Sequence, residues 1–170
     1  MSDRLLSETE QSTTILCGLL AEKLQKKGWM LATAESCTGG LIAGACTDLA
    51  GSSNWFERGF VSYSNAAKIE LLGVDDALIA RHGAVSEAVA RAMADGALAH
   101  SHAQVALAVT GVAGPTGGSR NKPVGTVWFS WRLPGQLVSE LRQFEGDRAA
   151  VRAATVQHAL QTLNALLDQG

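Results

Sequence analysis

Ser36 and Cys37 are adjacent nucleophile-type side chains, and Glu35 before them is a candidate proton acceptor. They stand in Leu-Ala-Thr-Ala-Glu-Ser-Cys-Thr-Gly-Gly-Leu-Ile-Ala-Gly, residues 31 to 44, which read as a buried strand ending abruptly in small and polar residues and then opening a helix. That geometry aims backbone N–H groups at a ligand or a developing anion. Ser36 in such a turn is a nucleophile, a helix cap, or both. Taken alone, a serine followed two residues later by threonine and then two glycines is more often a cap. Cys37 is the rival nucleophile because a helix start lowers a thiol pKa, but no histidine lies nearby in sequence to activate it. Glu35 reads equally as a general base and as a salt-bridge or cap partner. His82, His100, His102 and His158 show no zinc spacing and read as surface residues, so no metal and no cofactor is expected.

The elements that must position this turn follow from periodicity. A first helix is expected over Glu8 to Lys27, with Leu16, Leu19, Leu20 and Leu24 on one stripe and Gly28 as its end. A strand over Trp29 to Ala34 and a helix from Cys37 or Thr38 to Leu49 come next. Gly59 to Tyr63 reads as a short strand, after which Asn65 is the expected cap of a helix through Leu72 that stops at Gly73. Further helices are expected from Asp75 to Arg81 and from a Ser86 cap to about His100. Val105 to Thr110 is a continuous apolar run, the pattern of a central strand covered on both faces. It ends in a glycine-rich loop from Gly111 to Ser119. Thr126 to Trp131 and Leu137 to Phe144 flank Leu133-Pro134-Gly135, a turn short enough to demand antiparallel pairing. Asp147 is the expected cap of the last helix. The fold class expected is α/β: a three-layer α/β/α sandwich with a mixed, mostly parallel sheet.

Ligands of such sheets collect beyond the carboxyl ends of the strands. Three ends here are polar or glycine-rich: residues 35 to 40, Tyr63-Ser64-Asn65 and Thr110-Gly111. Composition adds exclusions. The 170 residues are read as one domain, and 14 Lys and Arg against 16 Asp and Glu leave no basic footprint for a nucleic acid. No apolar run approaches the roughly 20 residues of a membrane helix. The amino terminus lacks a signal pattern and the three cysteines are scattered, so a cytoplasmic protein with no membrane partner is expected. A homo-oligomer is left open.

Longer motifs carry a resemblance. Ala-Glu-Ser-Cys-Thr-Gly-Gly at 34 to 40, Val-Ser-Tyr-Ser-Asn-Ala-Ala-Lys at 61 to 68, His-Gly-Ala-Val-Ser-Glu at 82 to 87, Val-Thr-Gly-Val-Ala-Gly-Pro-Thr-Gly-Gly at 109 to 118 and Phe-Glu-Gly-Asp-Arg at 144 to 148 resemble the CinA carboxy-terminal domain family. The resemblance spans nearly the whole chain. Stand-alone members of that family are nicotinamide-nucleotide amidases, so it implies hydrolysis of the carboxamide of nicotinamide mononucleotide to nicotinate mononucleotide and ammonia, within pyridine nucleotide salvage. It further implies Ser36 as the nucleophile, helped by Tyr63 and Lys68, with Thr110 and Arg148 in the site. One departure is visible: Thr116 stands where the family's loop usually has aspartate.

The chemistry sets conditions on that reading. A lysine accepts the serine proton only when neutral, and at an ordinary pKa near 10.4 neutralising it at pH 7 costs about 4.6 kcal/mol. Lys68 must therefore be desolvated or sit near another cation, and the pyridinium of the substrate is one such cation. Amides after Ser36, through Gly39 and Gly40, are the expected oxyanion donors. The phosphate end is assigned to Arg148, Lys122 or the amides of the glycine loop at Gly111 and beyond. The competing reading is a binding module that holds a nucleotide in the same loops without turnover.

Overall fold

The computed structural model describes residues 8–170, Gln11 by its backbone alone. Helix α1 (Glu8–Lys27) is followed by β1 (Leu31–Glu35), α2 (Leu41–Thr47), β2 (Phe56–Val61), α3 (Asn65–Leu72), α4 (Asp76–His82), α5 (Glu87–Ala99), β3 (Val105–Gly111), β4 (Thr126–Leu133), β5 (Gln136–Gln143) and α6 (Arg148–Asp168). The strands form one sheet in the order β2-β1-β3-β4-β5. β1 pairs parallel with β2 and β3, whereas β4 is antiparallel to both β3 and β5. The sheet is mixed, and only β4 runs against the others.

Alternation along the strands makes two different cores. Leu31, Val105, Leu107, Val109, Val127, Phe129 and Trp131 face α1, α2 and α6. The Trp131 indole N–H also donates to Ala159 O at 3.1 Å, so this bulky core side chain leaves no buried donor unpaired. The opposite face carries Ala32, Ala34, Ala106 and Ala108 under Val89 and Met93 of α5 and Leu72 of α3. Small residues let α5 lie close to the sheet. α3 and α5 meet at Gly96, where an added Cβ would stand 2.0 Å from Leu72 O.

Several boundaries differ from expectation for local reasons. The second helix starts only at Leu41, since Gly39 and Gly40 have φ of 58° and 102° and keep the turn out of helical geometry. The strand before it runs to Glu35 rather than stopping at Ala34. Ser64, not Asn65, caps α3, its side chain accepting the Ala67 N–H at 3.0 Å. Ser86 and Asp147 cap α5 and α6 as the sequence suggests.

Candidate active site

Parallel pairing brings the three polar strand ends together. Glu35 is in register with Val61 on one side and Val109 on the other. The Ser62 N–H donates to Glu35 O at 2.8 Å, and the Ser36 N–H donates to Val109 O at 3.1 Å. Ser36 and Ser62, just past the ends of β1 and β2, therefore lie side by side with Thr110 of β3 at the carboxyl edge of the sheet.

Helix α3 begins directly after β2, so Lys68, one turn in, folds back over the chain that precedes it. Its ammonium nitrogen lies 3.0 Å from Ser36 Oγ, 2.9 Å from Ser62 O and 3.0 Å from Tyr63 O. Lys68 is 1% exposed. All three partners are neutral oxygens, and burial lowers its pKa from the ordinary lysine value. As an ammonium Lys68 donates to all three oxygens. Once neutral, its two protons would serve the carbonyls and its lone pair would face the Ser36 hydroxyl.

The neighbouring side chains sort clearly. The Glu35 carboxylate is buried and accepts from Thr38 Oγ1 at 2.6 Å, Ile42 N–H at 2.8 Å and Ala43 N–H at 3.0 Å. It holds the start of α2, where a negative charge is favoured. Of its two sequence readings, the capping one matches this geometry. Cys37 is also buried, and desolvation pushes its thiol up to about 11. A thiol so raised is a poor nucleophile at neutral pH.

Tyr63 meets Ser36 and Lys68 through its backbone carbonyl, with Ser36 Oγ 3.4 Å away. The residue is 59% exposed, and its hydroxyl accepts from the Arg148 guanidinium at 3.2 Å. Arg148 also donates to Gly114 O at 2.8 Å. Thr110 donates through Oγ1 to Ala84 O at 2.9 Å, which ties the β3 end to the loop between α4 and α5. Tyr63, Ala84, Thr110 and Arg148, with Ser36, Cys37, Asn65, Lys68, Val85, Gly111 and Ala113, line a cavity of about 240 Å³. Beside it, sharing Ala113 and Arg148, lies a more open hollow at the start of α6 that includes Arg152.

Not every expected residue joins them. The Gly39 N–H donates to Ser36 O at 3.0 Å, closing the turn, and Gly40 faces Val61 and a separate groove. Lys122 donates to His82 O at 2.8 Å, and Thr116 is exposed and lines neither the cavity nor the hollow beside it. His100 bonds Gly96 O at 2.8 Å and the half-buried His158 bonds Glu140 at 2.9 Å, both structural contacts. Arg152, which sequence reasoning passed over, donates to Cys37 O at 3.1 Å and to Thr38 O at 3.3 Å. Its spacing of four from Arg148 was the one available signal, since that places both on one face of α6.

Fold and site together define a three-layer α/β/α protein with a buried serine–lysine pair at the carboxyl edge of its sheet. The model of the CinA C-terminal domain matches residues 14–167, and the chain belongs to that family. It is 56% identical over 140 residues to the "Nicotinamide-nucleotide amidohydrolase PncC" of Enterobacter agglomerans, covering 82% of this chain and 85% of that one. The protein of the same name from Escherichia coli K12 is 49% identical over 156 residues, 91% of this chain and 94% of its own. Among solved structures, a competence/damage inducible protein from Agrobacterium tumefaciens superposes with a TM-score of 0.89 at 44% identity, covering 98% of this chain and 99% of that one.

Proposed function

We propose that this chain is a nicotinamide-nucleotide amidohydrolase that opens the carboxamide of nicotinamide mononucleotide with Ser36 as nucleophile and Lys68 as proton carrier. The relatives bearing that activity in their names support the reaction class. The single observation that carries the mechanism is the 3.0 Å approach of a buried lysine nitrogen to Ser36 Oγ, with no carboxylate among its hydrogen-bond partners.

The steps balance with the residues present. The Ser36 proton passes to Lys68 Nζ as Oγ bonds to the carboxamide carbon and the carbonyl oxygen becomes an oxyanion. Collapse breaks the C–N bond. Lys68 returns the proton to the departing nitrogen, which leaves as ammonia, and the acyl group stays as a Ser36 ester. Water then attacks that ester with Lys68 again taking a proton, freeing the carboxylate product and restoring the Ser36 hydroxyl. Since the Gly39 amide is spent inside the turn, the expected oxyanion donors are the earlier amides of Cys37 and Thr38. Arg148, at the mouth of the cavity, is assigned to the substrate's anionic end, and Tyr63 to the ring or ribose beside it. Thr110 and Gly111 form the cavity wall.

The test is ammonia release from nicotinamide mononucleotide by wild type and Ser36→Ala. Release by the wild type and its loss in the variant supports the assignment. A well-folded wild type that binds the nucleotide without releasing ammonia would establish the binding module instead.

A further inference from the structure

We propose that Arg152 is a positioning residue for the Ser36 hydroxyl, setting the peptide planes of the turn that carries it; this rests on Ser36 being the nucleophile. The turn is not part of a helix, so no regular ladder fixes its peptides. Arg152 reaches across from α6 and takes two consecutive carbonyls, Cys37 O at 3.1 Å and Thr38 O at 3.3 Å. A trans peptide is planar, with its N–H opposite its C=O. Holding Cys37 O therefore aims the Thr38 N–H, and holding Thr38 O aims the Gly39 N–H. The latter is the amide that donates to Ser36 O at 3.0 Å.

The surroundings fit a clamp. Gly39 has φ of 58°, and a Cβ built on it would stand 3.4 Å from the Arg152 guanidinium, so the cation lies close against the turn. From the other side the Glu35 carboxylate grips Thr38 Oγ1 and the first amides of α2. The sheet holds the Ser36 N–H through Val109 O. Arg152 supplies the hold on the remaining side. Arg148, four residues earlier on the same helix, instead reaches Gly114 O and the Tyr63 hydroxyl at the cavity mouth.

The rival role is direct contact of Arg152 with the anionic end of a nucleotide, because it also borders the hollow beside the cavity. A small neutral fluorophosphonate ester separates the two, since it reacts with an activated serine and has no nucleotide to grip. Labelling of Ser36 in R152M is expected to fall at least about tenfold from the wild-type rate, the scale on which small misplacements of a reacting group act. Turnover of nicotinamide mononucleotide is expected to lose kcat by a similar factor, with KM changed by less than about threefold. R152K, which keeps length and charge and can reach one carbonyl, is expected to recover part of both rates, and it carries the test if R152M does not fold. Wild-type labelling rates in R152M and R152K, or a raised KM with kcat intact, would overturn the proposal. A wild type that does not label at Ser36 would remove the nucleophile itself, a separate failure.

Discussion

Replacing Lys68 by methionine removes the amine while keeping most of the stem's volume, and it isolates what the buried amine contributes. At an ordinary pKa about one lysine in 2,500 is neutral at pH 7. Lys68 is 1% exposed and its hydrogen-bond partners are two carbonyls and a hydroxyl, so folding strips its water without supplying a counter-charge. Its pKa is lowered by that desolvation. Each tenfold rise in the neutral fraction offsets about 1.4 kcal/mol of the cost of a free base. Activity should therefore rise with pH and level off below the ordinary lysine range.

Stability gives an independent reading of the same desolvation. The folded pKa lies below the unfolded one, so between them the unfolded chain binds more protons and unfolding becomes less favourable as pH rises. Relative to K68M, the wild type should gain stability as pH climbs from the folded Lys68 pKa towards the ordinary value. The gain should be about 1.4 kcal/mol for each pH unit that separates the two, with the full penalty present below the folded pKa. The assays are kcat/KM for ammonia release across pH and paired denaturant melts of wild type and K68M. Loss of one general base should lower kcat about 100-fold or more. An activity profile centred at or above the ordinary lysine value, with a stability difference flat in pH, would refute the reasoning.

Two further outcomes follow from the same turn. Cys37→Ala should keep activity within about threefold, and iodoacetamide at pH 7 should leave Cys37 unmodified in the native protein, because a thiol pushed up to about 11 is ionised in only about one molecule in ten thousand. Glu35→Gln should lower stability by about 1–3 kcal/mol in chemical denaturation, since an amide NH₂ would replace one of the oxygens that now accept Thr38 Oγ1 and the two amides of α2.

Local chemistry made much of the fold legible. Ser86, Asp147 and Gly73 act through groups within a few residues of themselves, and each caps the helix end it was expected to cap. The Pro134-Gly135 turn allowed only an antiparallel pair, which β4 and β5 form. The second helix was placed too early because Cys37 to Gly40 have helix-start composition, while the left-handed φ of two glycines delays the helix to Leu41. What sequence could not express was the distance between Ser36 and Lys68. Their separation of 32 residues has no local meaning and becomes 3.0 Å through the pairing of β1 with β2 and the immediate start of α3. The resemblance implies Tyr63 as a helper of Ser36 without saying which of its atoms acts, and the contacts it makes with Ser36 and Lys68 are through its carbonyl. Arg152 escaped notice because its partners are backbone oxygens more than a hundred residues away, invisible to any residue-type motif.

The central claim is that Ser36 carries the acyl group during turnover. Wild-type protein mixed with nicotinamide mononucleotide, quenched in acid within the first turnover and digested, should yield the Ser36 peptide with the nicotinoyl nucleotide added, and the K68M protein should yield it far more slowly. An adduct on Cys37, or full turnover by Ser36→Ala with no adduct on any residue, would contradict the account.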